Sequence, residues 1–364
     1  MFSVVGPPGV PAGPPHAVLH LGSVCAGMGI THFAADALCK FNPELQIRHA
    51  FACEIDEKCQ AVLRQNCPNI PIYGDLHLHT AELPAVDVVV CGFPCQPYSA
   101  ANRKRLGVED PRADVLPELI SYVERTRPKA LLLENVPGFL SVGVILLQDA
   151  VRRLQQAGYR VAGKKLDSAR VGAVPQRRVR LYLLATLEEK GASPRPISWP
   201  TLLPPASLCA VLGPEAAAPG SWPSAPSAKK KVLLAIKSAA ASGLSAEACA
   251  DVVVNCHASS GAWVQGRTPC LTAARGSNHG FWLLGRRRMM SLGELLGLQG
   301  MAPGEVNFGG LSDRQAGTMI GNGFTKPVIL RLLARLLPAA GLSGPLRDPY
   351  DAFSLPSPKK RQRK

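Results

Sequence analysis

The sequence lacks several patterns that would place it in a familiar class of protein. No apolar run among its 364 residues is long enough to span a bilayer. Its eleven cysteines follow no regular framework spacing, which suits a reducing compartment better than secretion. Cys53 with Cys59, and Cys91 with Cys95, lack the short spacing of zinc sites, and no histidines cluster near them. We therefore predict no structural metal.

The two ends of the sequence have unusual compositions. Residues 1–16 are rich in proline but lack the basic start and the apolar core of a signal peptide, so we interpret them as a disordered leader. Residues 341–364 are predicted to form a basic tail, and its last six residues suit a localisation signal. The formal net charge of +15 indicates a polyanionic partner, with nucleic acid as the first candidate. Because part of this charge lies in the tail, it supports nucleic acid without proving it.

One stretch, residues 87–99, organises the rest of the chain. Its valine run, bounded by Gly92 and Pro94, is typical of a buried strand. Cys95 follows at the carboxyl end of that strand, where open α/β sheets bind their ligands. We interpret Cys95 as a nucleophile, although a single cysteine is more commonly a buried apolar residue.

A glycine turn follows the first predicted strand, residues 18–24. Gly27 and Gly29 lead into a predicted helix over residues 32–39. Glycine lets a ligand approach the backbone, and the N-terminus of the helix offers free N–H groups. Taken alone, such a turn is more often an ordinary connection than a ligand site.

Acidic residues end the next two predicted strands. The strand over residues 47–53 ends at Glu54, and the strand over residues 70–73 is followed by Asp75. An acid at the end of the second strand is suited to receive the hydroxyl groups of a ribose. The alternative is that Asp56 caps a helix and Glu54 is a solvated charge, and both functions are compatible.

Charged residues are also predicted near the candidate nucleophile. The strand over residues 130–133 ends in Glu134, and pairing of neighbouring parallel strands places Glu134 beside Cys95. A basic loop between them contains Arg103 and Arg105. These arginines either meet phosphates or form a solvated charge run, and the sequence favours neither interpretation.

A second basic segment combines glutamine with arginine. Alternation along an extended chain puts Gln176, Arg178 and Arg180 on one face and Arg177 on the other. The first face suits an anion or a substrate. A solvated basic edge is the alternative.

The composition divides the chain into predicted domains. Residues 17–186 form a catalytic and cofactor-binding domain with alternating strands and helices. In residues 187–286 Pro, Ala, Gly and Ser dominate, so we predict a smaller, irregular domain there. Helical periodicity returns in residues 287–340, and we expect the apolar helix over residues 326–337 to lie on the first domain.

The order and spacing of three motifs resemble the cytosine-5 DNA methyltransferase family. The motifs are Pro94-Cys95-Gln96, Glu134-Asn135-Val136 and Gln176-Arg177-Arg178-Val179-Arg180, and the resemblance covers residues 18–185 and 288–337. It implies an α/β fold, in which a Rossmann-like S-adenosylmethionine-dependent methyltransferase sheet carries helices on both faces. It also implies a small irregular target recognition domain that faces the sheet across a DNA cleft.

The resemblance implies a mechanism for methyl transfer from S-adenosylmethionine to C5 of cytosine. Cys95 adds to C6 of a flipped base, and Glu134 holds or protonates N3. The backbone around Pro94, with Arg178 and Arg180, fixes the base and lowers the pKa of the thiol. The candidate catalytic residues are Cys95, Glu134, Arg178, Arg180, Gln96 and Pro94. The candidate cofactor-binding residues are Ala26, Gly27, Met28, Gly29, Glu54, Ile55, Asp75, Leu76, Asn322 and Gly323. The candidate substrate and DNA contacts are Asn135, Val136, Gln176, Ser99, Arg103, Arg105 and Arg275.

The chain departs from the family pattern around the cofactor. It has Ser23-Val24-Cys25 where the family usually has Asp-Leu-Phe, so the aromatic residue expected against the adenine is missing. Ile30, Gly293 and Ile320 also differ from the residues common at these positions. None of these changes removes a catalytic group.

Two alternatives to a DNA methyltransferase stay open. A tRNA cytosine-5 methyltransferase of the same fold usually carries a Cys-Phe-Thr element, which this chain lacks. A catalytically silent nucleic-acid-binding regulator is favoured by the altered cofactor loop and opposed by the intact catalytic residues. We expect a monomeric nuclear enzyme acting on double-stranded DNA.

Overall fold

The computed structural model describes most of the chain. The described residues are 18–99, 102, 106–189, 191, 195–213, 222–223, 225–245, 247–258, 262–277 and 280–353. Within them no helix is both long enough and apolar enough to cross a membrane. The strands are β1 (Leu19–Val24), β2 (Ile47–Cys53), β3 (Ile72–Tyr73), β4 (Val88–Cys91), β5 (Ala130–Asn135), β6 (Tyr159–Asp167), β7 (Val179–Leu187), β8 (Val252–Asn255), β9 (Trp263–Gln265), β10 (Phe281–Leu283) and β11 (Arg288–Met289). The α-helices are α1 (Ile30–Phe41), α2 (Glu57–Asn66), α3 (Leu76–His79), α4 (Val115–Thr126), α5 (Phe139–Val142), α6 (Val144–Gln156), α7 (Ser168–Val171), α8 (Pro226–Ala241), α9 (Ala273–Ser277), α10 (Leu292–Leu298), α11 (Asp313–Asn322) and α12 (Lys326–Ala339).

Seven strands form a large, mostly parallel sheet in the order β3-β2-β1-β4-β5-β7-β6. Only β7 runs antiparallel to its neighbours β5 and β6. The chain leaves β3 at one edge and returns beside β1 as β4, so the strand order reverses between β1 and β4. Ligands of open α/β sheets bind at such a point, outside the carboxyl ends of the strands. The predicted Rossmann-like α/β fold is confirmed.

Helices cover both faces of this sheet, because the strand side chains alternate between two apolar cores. Val89, Leu131 and Leu133 point into one core, while Val90 and Leu132 point into the other. The first core is closed by α4 and α6, and the second by α1 and α12. The prediction that the last apolar helix returns to the first domain is therefore confirmed.

The predicted irregular domain contains a regular sheet. Strands β8 to β11 form an antiparallel sheet in the order β11-β10-β8-β9, and α8 packs on one of its faces. The sheet extends past the predicted boundary at residue 286, because β11 pairs with β10 through Trp282 and Met289. The prediction of an irregular domain is therefore wrong for this part. Strands of two to four residues are too short to show a periodic pattern.

Part of the predicted basic tail is packed against the large domain. Asp348 is buried and forms an ion pair with Arg331, a buried residue of α12, with 2.8 Å between the carboxylate oxygen and Nε. The tail prediction is therefore wrong for residues 341–353, because a buried ion pair with α12 holds this segment in place. Residues 354–364, like the predicted leader at 1–16, lie outside the described residues.

Candidate active site

The candidate nucleophile and acid lie at the same edge of the large sheet. Strands β4 and β5 pair in parallel with Cys91 opposite Leu133, so the residues that follow each strand emerge together. Cys95 is partly buried there, and the Glu134 carboxylate is close enough to influence its ionisation. The predicted proximity of the two side chains is therefore confirmed.

A buried amide fixes the loop that carries Cys95. The Asn135 Nδ2 group donates a hydrogen bond of 3.1 Å to the Phe93 carbonyl, and its Oδ1 accepts from the Val136 N–H group. The Cys95 carbonyl accepts from the N–H groups of Tyr98 and Ser99, which closes the turn after the nucleophile. Asn135 was predicted as a substrate contact. Its amide is committed to the backbone, and so it positions the nucleophile loop instead.

Arg180 joins the acid to the rest of the site. Its Nε lies 3.0 Å from Oε1 of Glu134, and both side chains are largely buried. Burial raises the pKa of Glu134 by more than Arg180 and Arg178 lower it. The carboxyl group therefore keeps its proton to a higher pH than an exposed glutamate does.

Opposing influences act on the ionisation of Cys95. Burial and the neighbouring Glu134 raise the pKa of the thiol, and the opposing influence of Arg180 and Arg178 is smaller. Both arginines lower the pKa of Cys95, as expected, but burial and Glu134 outweigh them, so the pKa lies above its ordinary value. The thiol therefore keeps its proton to a higher pH than an exposed cysteine does.

Arg178 has a different place from the one predicted. It is buried, and its guanidinium donates to three backbone carbonyls: Leu271 at 2.8 Å, Gly323 at 2.8 Å and Gly321 at 3.4 Å. A guanidinium committed in this way does not clamp a base. It ties the small domain and the segment after α11 to the large sheet.

Gln176 makes a similar cross-link. Its Nε2 group donates to the Leu298 carbonyl at 2.8 Å, while its Oε1 accepts from the Leu271 N–H at 2.6 Å. The side chain is fully buried, so the prediction that Gln176 contacts the substrate is wrong. The exposed Arg177 lies on the opposite face, as the alternation predicted.

The remaining candidate substrate contacts differ in burial and in bonding partners. Val136 is buried, and Ser99 is partly buried in the nucleophile loop. Arg275 donates to the Cys270 carbonyl. Arg103 and Arg105 lie outside the described residues.

Sequence reasoning missed a second thiol beside these arginines. The Cys270 Sγ atom lies 3.7 Å from a guanidinium nitrogen of Arg178 and 3.7 Å from one of Arg180. The signal available in the sequence was weak, because Cys270 lies about 90 residues from both arginines along the chain.

The glycine turn forms an open cradle at the end of β1. Gly27 and Gly29 have φ angles of 56° and 89°, a region that strongly favours glycine. No atom lies within 4 Å of the position that a Cβ on Gly27 would occupy. The Gly27 N–H donates to Glu54 Oε2 at 2.7 Å, and the Asp56 N–H donates to Oε1 at 3.0 Å. These bonds hold the carboxylate at the cradle.

The other candidate cofactor residues differ in accessibility. Asp56 caps α2, as the alternative interpretation predicted, and Asp75 caps α3 through the His77 N–H group. Ile55 and Asn322 are exposed, and Gly323 is partly buried. The side chains of Ala26, Met28 and Leu76 are buried in apolar cores, which leaves only their backbone for a ligand.

The cradle suits an adenosine-containing ligand. The open space at Gly27 admits a ligand to the backbone, and the fixed Glu54 carboxylate can accept from ribose hydroxyl groups. No group of three or more potential metal-ligating side chains occurs in the part of the chain that the structure describes.

The sheet order, the glycine cradle and the thiol-carboxyl-arginine cluster are those of a Rossmann-like α/β methyltransferase. Residues 19–242 match the family model described as C-5 cytosine-specific DNA methylase. The chain therefore belongs to the C-5 cytosine-specific DNA methylase family.

Individual relatives match part of the chain. The type II methyltransferase M.NgoBV of Neisseria gonorrhoeae is 35% identical over 150 residues, which are 38% of this chain and 35% of that protein. The type II methyltransferase M.BanI of Aneurinibacillus aneurinilyticus is 36% identical over 148 residues, 40% of this chain and 34% of that protein. The chain thus spans about a third of the length of these curated relatives.

A solved structure matches over a longer span. The Entamoeba histolytica methyltransferase EhMeth superposes with a TM-score of 0.62 at 16% identity, covering 89% of this chain and 99% of that one. At this identity the match supports the fold alone.

Proposed function

We propose that this protein methylates C5 of cytosine in DNA through a covalent adduct between Cys95 and C6. The observation that carries the proposal is the convergence of Cys95, Glu134 and Arg180 at the sheet edge. Family membership and the type II methyltransferase relatives support DNA as the substrate.

The proposed cofactor is S-adenosylmethionine. Gly27 and Gly29 would admit it to the backbone, while Glu54 and Asp75 would receive its polar groups. Bound there, it supplies an electrophilic methyl group.

The residues of the chain supply the activation of cytosine. C5 of cytosine is a weak nucleophile, and a bond from the Cys95 sulfur to C6 makes it an enamine carbon. The raised pKa of Glu134 suits it to donate a proton to N3 as that bond forms. Arg180 stabilises the Glu134 carboxylate that remains. Once C5 carries the methyl group, loss of the C5 proton to a base and cleavage of the C6–sulfur bond would release Cys95, and N3 would return its proton to Glu134.

The target base must leave the duplex for this chemistry. Cys95 cannot reach C5 and C6 of a cytosine that is stacked in the duplex, so the base is flipped into the site.

Covalent trapping tests the proposal. The protein is incubated with S-adenosylmethionine and duplex DNA or tRNA that contains 5-fluorocytosine, whose fluorine cannot be removed as a proton. We expect a denaturation-resistant complex with DNA that is lost in Cys95→Ser. Cys209→Ser, at an exposed cysteine outside the site, is the matched control. Absence of any complex despite measurable DNA binding would contradict the proposal.

A tRNA methyltransferase is the second candidate. The observation that favours it is that Cys270-Leu271-Thr272, which differs at one position from the Cys-Phe-Thr element, contacts Arg178 and Arg180. Trapping with tRNA and not with DNA would support this candidate. A silent regulator would bind nucleic acid without trapping, and calorimetry would detect no binding of the cofactor.

The cellular setting is part of the proposal. The basic run at residues 359–364 supports a nuclear location, and we propose that a monomer acts on double-stranded DNA. Fusion of residues 354–364 to a fluorescent protein tests the first point. Sedimentation with and without duplex DNA tests the second.

A further inference from the structure

Cys270 lies in a cluster of three arginines rather than alone. Arg178 and Arg180 each place a guanidinium nitrogen 3.7 Å from its sulfur, and Arg275 donates to its carbonyl. Arg178 and Arg180 are largely buried, so their charges are weakly screened by solvent. Cys270 is partly buried as a residue, as Cys95 is.

The two thiols of the site have opposite electrostatic environments. Although burial raises the pKa of Cys270, Arg178 and Arg180 outweigh it, and the pKa lies below its ordinary value. Burial and Glu134 raise the pKa of Cys95. The thiolate is the reactive form, so the nearby positive charges favour reaction at Cys270 in the free protein.

We propose that Cys270 is a thiol-modification site of the active site, reacting with small electrophiles, including peroxides, before Cys95 does. The proposed order of reaction follows from the arginine cluster and does not depend on the reaction that the protein catalyses. The further claim that an adduct at Cys270 blocks catalysis rests on the proposed function.

The reactions consume no group of the protein other than the thiolate. With iodoacetamide, the sulfur forms a bond to the methylene carbon, and iodide leaves with the electron pair of the carbon–iodine bond. With hydrogen peroxide, the sulfur bonds to one oxygen and the O–O bond breaks. The sulfur is oxidised to a sulfenate, and the other oxygen leaves as hydroxide and becomes water.

An adduct at Cys270 acts through the arginines. Any group on the sulfur competes for the space that the guanidinium groups of Arg178 and Arg180 fill. Arg180 also pairs with Glu134, and Arg178 also donates to the Gly323 carbonyl. Modification therefore disturbs Glu134 and the backbone at Gly323 together.

Peptide mass spectrometry of the full-length protein tests the order of reaction. With limiting iodoacetamide at pH 7, we expect Cys270 to be labelled at least about tenfold faster than Cys95. Cys256, a buried thiol whose pKa burial raises to about 11, gives the reference for a protected thiol. Equal or faster labelling of Cys95 would overturn the proposal.

A matched pair of variants tests the cause. Arg275→Gln removes a positive charge next to Cys270 and is expected to slow its labelling severalfold. Arg267→Gln removes an exposed arginine of the same segment and is expected to leave the labelling rate unchanged. Equal rates in wild type and both variants would refute the arginine mechanism.

The effect on catalysis is measured separately. Protein carrying one label at Cys270 is mixed with the 5-fluorocytosine duplex, and we expect at least about a tenfold loss of trapping relative to unlabelled protein. If unlabelled protein fails to trap, the proposed function fails while the labelling result stands. If labelled protein traps normally, the claim that modification blocks the site is wrong.

Discussion

At the scale of single residues, burial and a positively charged partner have opposite effects on the pKa of Glu134. Burial raises its pKa although Arg180 lies 3.0 Å away, so the carboxyl group retains its proton to a higher pH than an exposed glutamate. A general acid with such a pKa works below that pKa and fails above it. The rate of methyl transfer should therefore contain a component that falls as the pH rises through the pKa of Glu134.

Glu134→Gln tests this assignment. Glutamine keeps the size of the side chain but cannot donate the proton, so we expect methyl transfer to DNA to fall by about 10²–10⁴ and the falling component to disappear from the pH profile. Glu54→Gln is the control, since it should weaken cofactor binding in calorimetry and leave the shape of the pH profile intact. A Glu134→Gln variant with wild-type rates would remove Glu134 from the mechanism.

At the scale of elements, the start of α10 combines a helix cap with an ion pair. Ser291 and Glu294 form a capping box. The Glu294 carboxylate also accepts from Arg288 at 2.6 and 2.8 Å and from the Gly213 N–H at 3.0 Å. One nearly buried carboxylate thus joins β11, α10 and the segment before α8.

We expect Glu294→Ala to reduce the free energy of unfolding by about 3–5 kcal/mol, because it leaves Arg288 without its partner. Gln315→Ala, which breaks the capping box of α11 without an ion pair, should cost about 1 kcal/mol. Urea denaturation at pH 7 measures both. Equal losses would show that the ion pair contributes nothing beyond the cap.

The same carboxylate predicts an acid-dependent stability. Burial opposes ionisation of Glu294, but Arg288 and the backbone donors outweigh it and hold its pKa below the ordinary value. Its contribution is complete above the pKa of about 4.3 of an unfolded glutamate and is lost as the pH falls through the lower folded value. Denaturation between pH 3 and 6 should show this loss in the wild type and not in Glu294→Ala.

The parts of the fold that the sequence predicted are those with local patterns. In the valine run before Cys95 and in the apolar helix α12, neighbouring residues form a pattern that predicts burial. Arg178 does not, because the carbonyls of Leu271 and Gly323 are 93 and 145 residues away. Backbone acceptors leave no side-chain pattern, so its structural function was not predictable from composition or spacing.

At the scale of the whole molecule, one buried arginine joins segments that lie far apart in the sequence. Arg331 of α12 donates to the carbonyls of Val171 and Thr201, each at 2.9 Å, and its Nε binds Asp348 at 2.8 Å. Neither Arg331 nor Asp348 exposes its side chain. Asp351 also pairs with Arg331 but keeps 41% of its side chain exposed. A comparison of variants at the two aspartates therefore distinguishes a buried ion pair from a solvated one.

We expect Asp348→Ala to lower the free energy of unfolding by about 3–5 kcal/mol, because a buried guanidinium loses its only buried carboxylate partner among the described residues. Asp351→Ala should cost less than about 1 kcal/mol, since solvent replaces much of the lost interaction. Adding Arg331→Met to Asp348→Ala should recover part of the loss by removing the unpaired charge. Chemical denaturation measures these three full-length variants and the single variant Arg331→Met. If the double variant is as unstable as the sum of two single variants, packing of the segment after α12, and not charge, holds it in place.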